Sequence, residues 1–376
     1  MLLNNRLVAG LLGAAILTTV LATPGAGQTP ADTAVKIMVG GFVDSYYAWD
    51  TGRPATMDRS FAGGAPFTTQ PARHNEFNVN LAFIELKAEG ARVRGRLALQ
   101  AGTSVQSNYA GEPTQGQVSG PSLSRLIQEA VAGVKVGRNL WVDGGIFFSH
   151  MGLEGWISRD NPVYTRSLVA DYSPYYQSGV KFTWTPSAAV TAQLDIVNGW
   201  QNVSENNTGK GVGARIDWTA AEGATLSYYN FFSDEAGSQL RTFNGVGAKV
   251  VRGAWTLMGQ ADVGSQAHST ASASSWYGLL ALVRRRVTPT VAVVGRVERF
   301  VDDDQVVLTT GSVGEKANPA FHGNGASLGI DVNPAPRVLW RTEVRGFATR
   351  DPVFANGVGA PRASDGFVVT SLAVTF

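Results

Sequence analysis

The sequence predicts an all-β protein: a transmembrane antiparallel up-and-down β-barrel of about sixteen strands, with short periplasmic turns and long outer loops. Three observations carry that prediction. From residue 36 onward, stretches that alternate apolar and polar side chains recur, and no stretch of about 12 residues repeats at the helical period. The connections between them alternate in length, short then long, along the whole chain. The last stretch, "DGFVVTSLAVTF", puts Val368, Thr370, Leu372, Val374 and Phe376 on one face and Phe367, Val369, Ser371, Ala373 and Thr375 on the other.

The elements follow in order. Arg6 precedes an apolar run from Leu7 to Leu21, and small residues follow at Ala22, Gly25, Ala26 and Gly27. That is the order of a secretory signal peptide. The run of about 15 residues is short for a bilayer-spanning helix, which needs about 20. Residues 1–27 are therefore expected to be a signal peptide cleaved between 22 and 28, and residues 36–376 a single outer-membrane barrel. Strands are expected over 36–49 and 74–88, then through the turn "EGAR" over 92–103. Next come 125–137 and, through "GRN", 139–150. A connection of some two dozen residues, 151–174, leads to 175–185, which "TPSA" joins to 188–199. The turns "AEG", "VRGA", "VTPT" and "NPAP" then link 210–220 to 223–233, 240–251 to 253–264, 274–286 to 289–301, and 322–333 to 335–347. The strand over 365–376 completes the set.

Individual strands separate their faces cleanly. Val190, Ala192, Leu194 and Ile196 oppose Thr191, Gln193 and Asp195. Val212, Ala214, Ile216 and Trp218 oppose Gly213, Arg215, Asp217 and Thr219. Val338, Trp340, Thr342 and Val344 oppose Arg341, Glu343 and Arg345. A soluble sandwich also alternates, but it has no reason to keep every short turn at one end, and an open sheet of this size would expose long edges. A membrane barrel accounts for both features. A charge on the lipid face at mid-bilayer costs about 2–4 kcal/mol, so the charged faces are assigned to the lumen. Strand-end aromatics, Tyr46, Tyr47, Trp49, Tyr175, Tyr176, Trp200, Trp218 and Trp276, are expected in the interfacial girdles.

A barrel of this size leaves an aqueous channel. The strand phases point Asp44, Arg94, Arg96, Glu129, Lys135, Lys181, Arg215, Asp217, Arg296, Glu298, Arg341, Glu343 and Arg345 into it. The formal net charge of +2 gives no basic excess for nucleic acid. The absence of cysteine excludes disulfides, thiolate metal sites and a cysteine nucleophile. An outer-membrane hydrolase would need a Ser–His–acid set, yet His74, His150, His268 and His322 lie near strand ends or loops and no G-x-S-x-G occurs. "GKGVG" and "GNGASLG" lack the strand–loop–helix context of phosphate loops and read as strand glycines. "VDDDQ" at 301–305 has calcium-ligand chemistry but reads as a solvated loop, and no cofactor or metal is expected. A non-conducting adhesive barrel is the alternative to a pore, and no loop is repetitive enough to favour it.

Three segments carry a family resemblance: "GGFVDSYYAWD" (40–50) with Asp44, Tyr46 and Tyr47; "HNEFNVNLAFIELKAEG" (74–90); and "GLEGWISRDNPVYTRSLVADYSPYYQSGVKF" (152–182). In these the chain resembles the OmpL-like β-barrel porins (porin family two). The resemblance implies an outer-membrane porin for passive diffusion of small hydrophilic solutes. Its partners would be membrane lipid and lipopolysaccharide, and a homo-oligomer is compatible with it. The terminal Phe376 resembles the signal read by the barrel-assembly machinery. The connection 151–174 is the third long loop, the one that folds inside general porins. Glu154, Arg159, Asp160, Arg166 and Asp171 are accordingly expected at a constriction, Arg159 and Arg166 on its basic side and the carboxylates on its acidic side.

Overall fold

The computed structural model describes residues 34–235, 237, 239–313 and 319–376; the expected signal peptide, 1–27, lies outside them. The strands are β1 (Lys36–Asp50), β2 (Phe77–Glu89), β3 (Val93–Ala101), β4 (Ile127–Gly137), β5 (Leu140–Phe148), β6 (Tyr176–Ser187), β7 (Val190–Val197) and β8 (Gly211–Ala221). They continue as β9 (Ala224–Asp234), β10 (Leu240–Arg252), β11 (Trp255–Gln266), β12 (Ser274–Arg286), β13 (Val291–Asp302), β14 (Phe321–Ala335), β15 (Val338–Thr349) and β16 (Ser364–Thr375). Each pairs antiparallel with its sequence neighbours, and β1 pairs with β16, so the sheet is a closed barrel of sixteen strands. Closure removes every sheet edge, the condition a strand must meet in lipid.

Strand ends fall within three residues of the expected ones, and β12 matches at both ends. Gly102 shows why β3 stops early. Its φ is 142°, a Cβ there would lie 2.2 Å from the Asn80 carbonyl oxygen, and the chain turns into the short helix α1 (Thr103–Asn108). Two more short helices, α2 (Pro121–Ser124) and α3 (Leu168–Asp171), sit in long connections where no regular element was expected.

Aliphatic side chains cover the outer face, Val39, Ile84, Val246, Leu328 and Leu372 among them, all exposed. Trp184, Trp218, Trp255 and Trp340 are exposed in a belt at the short-turn end. Tyr47, Trp49 and Phe77 face outward at the long-loop end. Five of the expected girdle residues do not. Tyr46, Tyr175, Tyr176 and Trp276 are buried inside, and Trp200 packs against Phe231, Phe243 and Trp276. They belong to internal apolar clusters that fill the long-loop end, with Phe61, Phe67, Tyr164, Leu168, Phe300, Phe321, Phe347 and Phe354.

At the closing seam Gly41 and Phe376 exchange backbone hydrogen bonds of 3.0 Å each. Gly41 has no side chain, and the Phe376 ring occupies that space: a Cβ on Gly41 would lie 2.3 Å from it. An aromatic ring laid over a strand glycine restores the packing the glycine lacks. Deleting Phe376 is therefore expected to lower the folded fraction, read as the heat-modifiable band on SDS gels. Phe376→Tyr should change it little, and Gly41→Val should act like the deletion. Equal folded yield for the deletion would refute the role.

Candidate functional site

The connection 151–174 follows β5, and its course is set by side chains on strands far around the wall. His150 fixes its start. Its Nδ1 lies 2.8 Å from Asp195 Oδ2 and its Nε2 2.8 Å from the Asn230 carbonyl oxygen. Gly213 makes room for the ring, since a Cβ there would sit 2.2 Å from it. Arg215 donates to the His150 and Gly152 carbonyls at 2.8 and 2.7 Å. The Leu153 amide then donates to Gln260 on β11 at 3.0 Å. Beyond it, Thr165 donates through its amide and hydroxyl to Glu343 on β15, both at 2.8 Å. The Leu168 amide donates to Glu298 on β13 at 2.6 Å. At its lowest point Ser158 donates to Asp44 on β1 at 2.7 Å, and Arg341 donates to the Ser158 and Asn161 carbonyls at 2.6 and 2.8 Å. Contacts with β8, β11, β13, β15 and β1 mean that this loop runs across the inside of the barrel.

The docking surface is ionic. Arg296 donates to the Thr165 carbonyl at 2.6 Å and its hydroxyl at 2.7 Å, and reaches Glu343 at 3.0 Å. Glu154 and Glu298 each lie 3.7 Å from the same guanidinium. Arg345 pairs with Glu298 at 2.6 Å and donates to the Arg166 carbonyl at 2.8 Å. These side chains are buried, so their charges rest on one another instead of on water, with Glu154 Oε1 and Arg296 Nε held by charge contact alone. Burial pushes the Glu154 carboxyl above the ordinary glutamate range, against the pull of Arg296 and the Ser167 hydrogen bonds.

The five residues expected on opposed sides of a constriction are arranged differently. Arg166 is fully buried, lies 3.8 Å over the Tyr175 ring and 4.7 Å over Trp156, and its Nε is 3.5 Å from Asp171. Arg166 and Asp171 are thus one internal pair and not two faces across a gap. Glu154 is buried against Arg296 and Ser167. Arg159 and Asp160 remain partly exposed, 3.1 Å apart, with Arg159 also donating to Thr375 at 2.6 Å. A second inward loop went unnoticed in the sequence: residues 51–76. Thr69 donates to Asp171 at 2.8 Å, Gln70 to the Trp156 carbonyl at 3.2 Å, and Tyr172 to the Phe67 carbonyl at 2.5 Å. Its Phe61 and Phe67 are buried, and two phenylalanines in an otherwise polar loop were the available signal.

Along the wall of β2–β5, ion pairs run from strand to strand. Arg94 pairs with Asp143, and Arg96 with Glu129 and, at 2.7 Å, with Glu85, a lumen acid missed in the sequence. Lys135 and Lys181 lie over Trp141 and Phe147 at 6.0 and 4.6 Å. Arg215 holds Asp217 at 2.8 Å. Each histidine has a separate partner: His74 accepts from the Asp50 amide at 2.9 Å, His268 meets Ser274 at 2.8 Å, and His322 contacts Asp303. In "VDDDQ" the Asp302 carboxylate accepts from the Val306, Val307 and Leu308 amides at 2.9, 2.9 and 3.0 Å, which makes it a turn cap. Among the described residues no three His, Asp or Glu side chains gather as metal ligands.

A family model described as "Putative beta-barrel porin-2, OmpL-like" matches residues 36–376. No curated protein matches in sequence. Solved structures share the fold at low identity. The anion-selective porin from Comamonas acidovorans aligns with a TM-score of 0.58 and 10% identity, covering 91% of this chain and 100% of that one. The outer membrane channel DcaP of Acinetobacter baumannii gives 0.57 and 12%, over 91% and 97%. The trimer form of OmpT, an outer membrane protein of Vibrio cholerae, gives 0.58 and 7%, over 91% and 100%.

Proposed function

The chain belongs to the OmpL-like beta-barrel porin-2 family, and from that premise we propose that its solutes pass beside, not through, the docked third loop. The protein is an outer-membrane porin: small hydrophilic solutes diffuse passively through its sixteen-stranded barrel. The observation that carries the finer reading is the crossing of the lumen by residues 151–174, held to β13 and β15 by Arg296, Glu343 and Arg345. That leaves the ion-paired wall of β2–β6, with Arg94, Arg96, Lys135 and Lys181, as the side of the passage. The loop narrows the opening and sets its size cutoff; paired, weakly selective walls suit unspecific polar solutes. Export by the signal peptide, recognition of Phe376 by the barrel-assembly machinery, lipopolysaccharide around the loops and assembly into a homo-oligomer belong to the same reading. Catalysis does not.

Purified protein in a planar bilayer tests it. Stepwise ohmic conductance is expected, with sugars permeating up to a sharp size limit in liposome swelling. A folded barrel that inserts without conducting would instead favour a structural or adhesive role.

A further inference from the structure

Arginines gather at the short-turn end of the lumen in a way the docked loop does not require. A cavity of about 220 Å³ opens there beneath the loop tip, and Arg159, Arg284, Asn333, Arg337, Arg341 and Thr375 line it. No carboxylate is among its lining residues. Asp331, on the inner face of β14, lies 3.1 Å from Arg284 and 3.2 Å from Arg341, and Asp160 is 3.1 Å from Arg159. Four guanidinium groups therefore stand against the ion-paired Asp331 and Asp160, with Asp44 acting on Arg341 from beyond the lining, and the cavity is positive.

The free donors matter more than the net charge. Arg341 spends both terminal nitrogens on Asp331 and the Ser158 and Asn161 carbonyls. Arg284 uses Nε and Nη2 on Asp331, which leaves Nη1. Arg159 uses Nε on Asp160 and Nη1 on Thr375, which leaves Nη2. Arg337 stands in the β14–β15 turn at φ 66° with no ion pair or side-chain hydrogen bond among the described residues. Three cations on three separate elements thus offer unused N–H groups to one space. Such a group suits a tetrahedral oxyanion, whose several oxygens accept charge-assisted hydrogen bonds from different directions.

We propose that this cavity is a binding site for phosphate and for the phosphate group of small phosphorylated solutes. By the strand pairing, Arg341 on β15 and Thr375 on β16 face inward beside Asp331 on β14 and Phe42 on β1, so the ligand arrives from the lumen and not from the bilayer. The site deepens the porin reading, since it concentrates phosphorylated solutes at the periplasmic mouth, but binding itself does not depend on conduction.

The test is isothermal titration of the folded protein with inorganic phosphate, in nanodiscs of zwitterionic and of anionic lipid. Arg284→Gln and Arg337→Asn should each weaken binding about tenfold or more. Arg285→Gln is the control: it removes the same charge one residue away, from an arginine stacked 5.0 Å over Trp255 on the outer face, and should leave affinity unchanged. In bilayers phosphate should reduce chloride current through the wild type, and far less through Arg284→Gln. No binding by a folded wild type, or equal losses for Arg284→Gln and Arg285→Gln, would overturn the site. Binding lost in anionic nanodiscs would overturn the assignment to a solute, because a lipid phosphate would then hold the cavity. A channel that does not conduct yet binds phosphate would refute the porin reading and leave the site standing.

Discussion

Replacing residues 155–170 with a short Gly/Ser link should raise single-channel conductance about twofold or more, because the loop crosses a lumen wide enough to carry water. The barrel should survive the change. Its strand ladder closes independently of the loop, through β1 and β16. The wall charges the loop covers keep partners among themselves: Arg296 with Glu343, Arg345 with Glu298, and Arg341 with Asp331. Water then hydrates the positions that Thr165 and the Ser158 and Asn161 carbonyls occupied. The increase stays below that of an empty barrel, because residues 51–76 also lie inside, with Phe61 and Phe67 buried. Unchanged conductance in a correctly folded variant would show that the loop does not limit flow.

The barrel was legible because lipid imposes the simplest rule a sequence can obey. A strand with one face in hydrocarbon must alternate, and the turns at one end have no function that would lengthen them. The aromatic errors had a readable cause. Tyr46 shares its parity with Asp44 and Ala48, so the strand phase already pointed it inward, whereas its position at a strand end suggested a girdle. The loop was harder. Alternating signs along 154–171 suggested two opposed faces, but a loop has no fixed period. The turn of α3 brings Asp171 back to Arg166, and the flat guanidinium lies on Tyr175 and Trp156. Its remaining partner, Thr69, comes from a different loop, a long-range pairing with no local signal. The arginine-lined cavity was hidden for the same reason: its cations come from one loop, one turn and two strands.

Removing the cation on which the docking converges should undock the loop without unfolding the barrel. Arg296 has no exposed side-chain surface and touches Glu343, Glu298, Glu154 and both oxygens of Thr165. Arg296→Met leaves three buried carboxylates of which only Glu298 keeps an ion pair, with Arg345, and stripping one partner from such a cluster costs about 3–5 kcal/mol. The loop relieves that cost most cheaply by moving away and admitting water. Expected results are a noisier channel with larger mean current, protease cleavage within 155–170, and near-normal heat-modifiability. Two further measurements separate this from general damage. Acidification should quiet the channel, since protonating Glu154, a carboxyl already pushed up by burial, removes one of the unmatched charges. Adding Glu343→Leu to Arg296→Met should recover part of the docking, because an apolar pair of similar volume is tolerated where a lone buried charge is not. A quiet channel of unchanged conductance from Arg296→Met would show that the loop is held by its apolar contacts alone.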